Sequence, residues 1–164
     1  MVYAIFENDG VCIFALPSNH GNFYLEFQCT GLYRQLSLLS HIFTQCLPLF
    51  SHICHLYLEV EDCALQLDER DSIHWLELLR SFNAVQILEV IAPALRYSLE
   101  IHIARVLGEL TSAAGEFPER ATEVLPIMHT LVLSGLHPVG YLMTPLLKPF
   151  VDARQLSGQP VEVG

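Results

Sequence analysis

The chain has 164 residues, of which 52% are hydrophobic, 10% aromatic and 16% charged, with 18 acidic against 8 basic side chains and a net charge of −10. A chain of this length suits one domain that buries roughly 70% of its unfolded surface. The acidic balance offers no basic surface to displace counterions from nucleic acid, and it disfavours docking on an anionic membrane.

The first thirty residues read as strands. Val2 to Phe6 and Val11 to Leu16 are runs of apolar and β-branched residues joined by "ENDG", whose Asp-Gly pair is a hairpin signal. The loop "PSNHGN" follows, and then a third run, Phe23 to Cys29. A β-meander or an elaborated first repeat is expected. The chain starts at Met1 almost inside a strand, which leads us to expect a segment of a longer protein.

From residue 31 the period changes. Leu32, Leu36, Leu39, Phe43 and Cys46 fall at steps of four, three, four and three, predicting a helix that stops at Pro48. Asp71 or Ser72 can cap a second helix. Ile73, Leu76, Leu79 and Phe82 are then expected to share a face, with Trp75 beside them as a core or convex-face anchor. Leu95, Leu99, Ile103, Val106 and Leu110 predict a third helix, entered after Pro93 and left near Gly115. A fourth is expected from about Leu142 to Gln155, with Leu146 and Phe150 inward, Pro145 in its first turn and Ser157-Gly158 as the stop.

After three of these segments the pattern switches to alternation within a few residues. The junction Phe82-x-x-Val85-x-x-Leu88-x-Val90 has the spacing of Phe50-x-x-Ile53-x-x-Leu56-x-Leu58 and of Leu125-x-x-Met128-x-x-Leu131-x-Leu133. The anchors Leu56, Leu88 and Leu131 lie 32 and 43 residues apart, an irregular repeat. Helix, short turn, short strand and long connection describe an α/β, leucine-rich-repeat-like solenoid with parallel strands on one side and helices on the other. A single repeat region over 1–164 is expected, with 1–30 as its β-rich first segment and 31–164 as helix–strand units. Leu56 and Leu58 point inward in this arrangement. His55, Tyr57, Glu59, Ile87, Glu89, Thr130, Val132 and Ser134 point into the concavity and form the expected protein-binding face.

Chemistry is hard to find in these residues. Gln35 to Leu58 is an uncharged run of 24 residues, but three histidines and Pro48 favour helix, turn and strand over a membrane span. Val124 to Leu147 is equally uncharged and is broken by Pro and Gly. The five cysteines (Cys12, Cys29, Cys46, Cys54 and Cys63) form no CxxC pair and read as buried thiols of an intracellular protein, cytoplasmic or nuclear. "HICH" at 52–55 lacks the second ligand pair that zinc needs, and a polar strand edge with a buried Cys54 is the expected alternative. The carboxylates beside Cys63 disfavour a thiolate there, and "LDERD" at 67–71 has too few oxygen ligands at regular spacing for calcium. Neither G-x-S-x-G nor a glycine-rich phosphate loop occurs. No cofactor, metal or catalytic residue is therefore expected.

The blocks "HGNFYLEFQC", "LYRQLSLLSHIFTQCLPLFSHICHLYLEV", "IHWLELLRSFNAVQILEV", "EVLPIMHTLVLSGL" and "FVDARQLSGQPVEV" together resemble the C-terminal region of basidiomycete F-box proteins. The likeness runs over nearly the whole chain in the same order. It implies a fungal, non-enzymatic recognition module. In that family the F-box docks the Skp adaptor of a cullin-type ubiquitin ligase, and the repeats present a substrate. The resemblance covers no F-box within residues 1–164, so an adaptor is expected to be reached only through a segment outside this chain. The alternatives are a partnerless structural fragment of a truncated gene and a doubly wound α/β enzyme.

Overall fold

The computed structural model describes residues 1–7, 10–15, 23–45, 52–60, 71–92, 99–112, 121–135 and 140–164. The alternating apolar runs at the N-terminus form strands β1 (Val2–Phe6), β2 (Gly10–Ala15) and β3 (Phe23–Gln28), paired antiparallel as a meander. The Glu7 amide donates to the Gly10 carbonyl at 2.9 Å and closes the first connection. Gly10 sits where β3 comes close: a β-carbon there would lie 2.6 Å from the Phe27 carbonyl oxygen.

Helices and strands then alternate, in the order α1 (Leu32–Gln45), β4 (His55–Val60), α2 (Asp71–Arg80), β5 (Ile87–Ala92), α3 (Leu99–Ser112), β6 (Thr130–Gly135), α4 (Gly140–Leu156) and β7 (Glu162–Val163). The strands form one seven-stranded sheet in the order β3-β2-β1-β4-β5-β6-β7. From β1 through β7 the pairing is parallel, and β4 to β7 follow one another in chain order. Parallel neighbours cannot be joined by a tight turn, which is why a helix separates each pair from β4 onward.

The anchors of the sequence repeat lie in one register. Val2 is opposite Leu56, Leu56 opposite Leu88, Leu88 opposite Leu131, and Leu131 opposite Val163. Side chains alternate across a sheet, so this row fixes one face. Val2, Ala4, Phe6, Val11, Ile13, Leu56, Leu58, Leu88, Val90 and Leu131 are all buried on it. The same hydrophobic core takes in Leu36, Leu39 and Phe43 of α1, Trp75, Leu78 and Leu79 of α2, Ile103, Val106 and Leu107 of α3, and Phe150 of α4. Each helix packs against the next along the row. The described helices thus cover one face of the sheet, and none of them lies over the other parity of side chains.

The α1 stripe is as read from the sequence, with Leu32, Leu36, Leu39 and Phe43 buried; Cys46 lies outside the described residues, as do Leu16, Pro48, Phe50, Cys63, Pro93, Leu95 and Gly115. In α2 the buried face differs from the expected one. Ile73 is 63% exposed, and Trp75, Leu78 and Leu79 turn inward. A helix with apolar residues at 73, 75, 76, 78 and 79 carries two overlapping stripes, and the one that seats Trp75 against Phe6 buries more area. Phe82 lies beyond the helix end, in the turn, and meets Phe43 in a tilted ring contact with centroids 4.6 Å apart. Leu110 falls within α3 as expected. Helix α4 begins at Gly140 rather than Leu142, so Pro145 sits past its first turn, and Leu147 and Phe150 carry the burial while Leu146 is half-buried. Cys54, expected inside, is exposed, and Ile53 takes the buried position before β4. Strand β7 was not expected.

Candidate functional site: the sheet face opposite the described helices

The eight residues expected to share a face do share one. His55, Ile87 and Thr130 form one cross-strand row; Tyr57, Glu89 and Val132 form the next; Glu59, Ile91 and Ser134 form a third. They are half-buried, with Ser134 exposed. His55 Nε2 and Glu89 Oε2 are 3.1 Å apart on neighbouring strands. The Tyr57 hydroxyl donates to Glu59 Oε2 at 3.2 Å, along its own strand.

The face is wider than the sequence reading anticipated. Register carries the middle row on from Tyr57 to Tyr3, Phe14 and Tyr24, across β1, β2 and β3. Tyr3 and Tyr57 have ring centroids 4.8 Å apart at an interplanar angle of 55°, and Phe14 and Tyr24 are 4.7 Å apart at 48°. Tilted rings at this spacing attract through edge-to-face contact. Beside them runs Glu26, Cys12, Ile5 and Glu59. The Tyr24 hydroxyl donates to Glu26 Oε2 at 2.7 Å, and Cys12 Sγ lies near both Tyr24 and Glu7. The signal was present in "VYAIF", "GVCIFA" and "FYLEFQ", whose second parity holds Tyr3, Ile5, Cys12, Phe14, Tyr24 and Glu26. Registering a meander against a distant parallel strand is what single-sequence reasoning could not supply.

The electrostatics are one-sided. Glu26, Glu59, Glu89 and Glu162 lie on the strands of this face, and no Lys or Arg lies on any of the seven described strands. The cations of the described residues are on helices: Arg34, Arg80, Arg105, Lys148 and Arg154. Burial, with Glu59 and then Glu89 nearby, pushes the Tyr57 phenol up to about 12. Its hydrogen bond to Glu26 raises the Tyr24 phenol, with Cys12 adding to the effect. Burial raises the Cys29 thiol, and Arg34 opposes that only in part. These shifts favour neutral, hydrogen-donating groups over nucleophiles at neutral pH.

Among the described residues no group of three or more His, Cys, Asp or Glu side chains could hold a metal ion, and no helix is long and apolar enough to cross a membrane. No protein-family model matches the chain, and no curated protein matches its sequence. Two solved structures align over most of their length: RuvC of Thermus thermophilus, and T. thermophilus RuvC in complex with a Holliday junction substrate. Identities are 12% and 11%, each alignment covers 97% of this chain and 98% of the other, and the TM-scores are 0.32 and 0.30. Similarity at that level carries no argument for this chain.

Proposed function

We propose that the chain is a non-catalytic protein-interaction module, a leucine-rich-repeat-like unit that presents the side of its sheet opposite the described helices to a partner. In this reading it is the substrate-recognition part of an F-box-type protein, with any Skp-type adaptor reached through an F-box outside the chain. One observation carries the proposal: His55, Tyr57, Glu59, Ile87, Glu89, Thr130, Val132 and Ser134 stand in register on a face that no described helix covers. Regular strands hold such side chains at fixed spacing, so a surface can be recognised without any loop having to order on binding.

The test is affinity capture from fungal extract followed by mass spectrometry, using the wild type and two variants. The first variant, Tyr57→Ala, Glu89→Lys and Val132→Asp, alters the open face. The second, Ile73→Asp and Glu109→Lys, alters exposed helical positions. The proposal expects a set of proteins that the first variant loses and the second retains. Identical sets from all three would contradict it. Captured Skp adaptor is expected only with an F-box-bearing parent.

A second reading, an α/β enzyme, has one feature in its favour. The winding changes direction between β1 and β4, and open α/β sheets place ligands beyond the strand carboxyl ends at such points. Doubly wound enzymes carry helices on both faces, however, and the described helices here lie on one. Turnover of a small ester by the purified chain, lost on Glu7→Gln or Glu59→Gln, would favour the enzyme over the interaction module.

A further inference from the structure

The open face has a definite chemistry: tilted aromatic rings alternate with carboxylates, and no described Lys or Arg lies on its strands. Tyr57 is followed two residues on by Glu59, and Tyr24 by Glu26, each hydroxyl donating to that carboxylate. Glu89 is directly opposite Tyr57 on the next strand. A guanidinium laid on such a ring gains attraction from the π face and a charge-assisted hydrogen bond from the carboxylate beside it. Arginine suits this arrangement better than lysine, because its planar fork stacks and bonds at once.

The row Tyr24, Phe14, Tyr3, Tyr57, Glu89 and Val132 crosses six neighbouring strands. At ~4.8 Å between strands that is about 24 Å, the length of about seven residues of extended chain. Charge is segregated to match. The sheet face carries Glu26, Glu59, Glu89 and Glu162, and the described Lys and Arg residues are all on helices.

We propose that the occupant of the open face is an extended, arginine-bearing peptide segment of a partner protein, lying across the strands with guanidinium groups stacked on Tyr57 and Tyr24 and bonded to Glu59, Glu89 and Glu26. This rests on the interaction-face reading and names its partner chemistry. Glu59 and Glu89 are diagonal neighbours on adjacent strands, so one guanidinium over Tyr57 has two carboxylates within reach. His55 Nε2 lies 3.1 Å from Glu89 Oε2, so an incoming arginine competes with His55 for that carboxylate.

The experiment is calorimetric titration of the purified chain with a capped peptide of alternating glycine and arginine. The same peptide with glutamate in place of arginine, and free argininamide, serve as comparisons. Binding is expected for the arginine peptide alone, weakening as salt is raised. Glu59→Gln with Glu89→Gln is expected to weaken it about tenfold or more. Glu77→Gln with Glu109→Gln removes the same charge from the helices and is expected to leave it unchanged. Tyr57→Leu is expected to lose affinity that Tyr57→Phe keeps. The inference is overturned if arginine and glutamate peptides bind alike, if argininamide binds as tightly as the peptide, or if the helix pair weakens binding as much as the sheet pair. If the open-face variant still loses its captured proteins while the arginine peptide fails to bind, the interaction reading survives and this inference does not.

Discussion

Arg154 shows how a single side chain can tie a helix to a distant turn. It is fully buried in α4, and its guanidinium donates to main-chain carbonyls of Leu125, Pro126 and Met128. Those carbonyls belong to the turn leading into β6, where Leu125 adopts a φ of 51°. Buried carbonyls need donors, and this turn finds them on a distant helix. Arg154→Met is expected to lower stability by about 2–3 kcal/mol, read by urea denaturation, because it takes this donor from the Pro126 and Met128 carbonyls, while the Leu125 carbonyl keeps the Met128 amide. In the sequence, a basic residue on a helix gives no sign, by itself, of pointing inward. Tyr57 makes a second prediction at this scale. The folded chain holds its phenolic proton to about 12, while the unfolded chain releases it near 10. Its contribution is therefore complete below pH 10 and is lost as the pH rises towards 12. Denaturation midpoints should fall over that window, and Tyr57→Phe should flatten the fall.

At the scale of elements, α3 and α4 cross closely at a glycine. A β-carbon added at Gly108 would run into the carbonyl oxygen of Leu146, which is backbone and cannot swing aside. Gly108→Ala should cost about 1–3 kcal/mol by thermal or urea unfolding, despite the better helix propensity of alanine. Helix existence and type were legible in the chain because apolar steps of three and four persist over several turns. The buried face of α2 was not, since Ile73 and Trp75 offered rival stripes and only the position of Phe6 chooses between them. Strand β7 was illegible for a different reason. Two residues, Glu162 and Val163, have no period to read, and they form a strand only because the edge of β6 is there to pair with.

Across the whole molecule, one row of apolar residues organises the sheet: Val2, Leu56, Leu88, Leu131 and Val163 in register. The recurrence of the junction spacing had already singled out the middle three, because the same packing problem is solved at each turn of the chain. What the spacing could not reveal is that the N-terminal meander joins the same sheet through β1 and extends its open face by three strands. Neighbours on β5 should report the two faces separately. Leu88→Ala, beneath the helices, should cost about 2–5 kcal/mol. Ile87→Ala, on the open face, should cost about 1 kcal/mol or less.

The claim on which function rests is that one side of the sheet is covered and the other is available to a partner. Hydroxyl-radical footprinting of the folded chain, read residue by residue by mass spectrometry, measures this directly. Tyr24, Phe14 and Tyr57 should be modified well ahead of Trp75 and Phe43. Modification of Trp75 at the rate of Tyr57, or protection of all three open-face rings in the isolated chain, would contradict it.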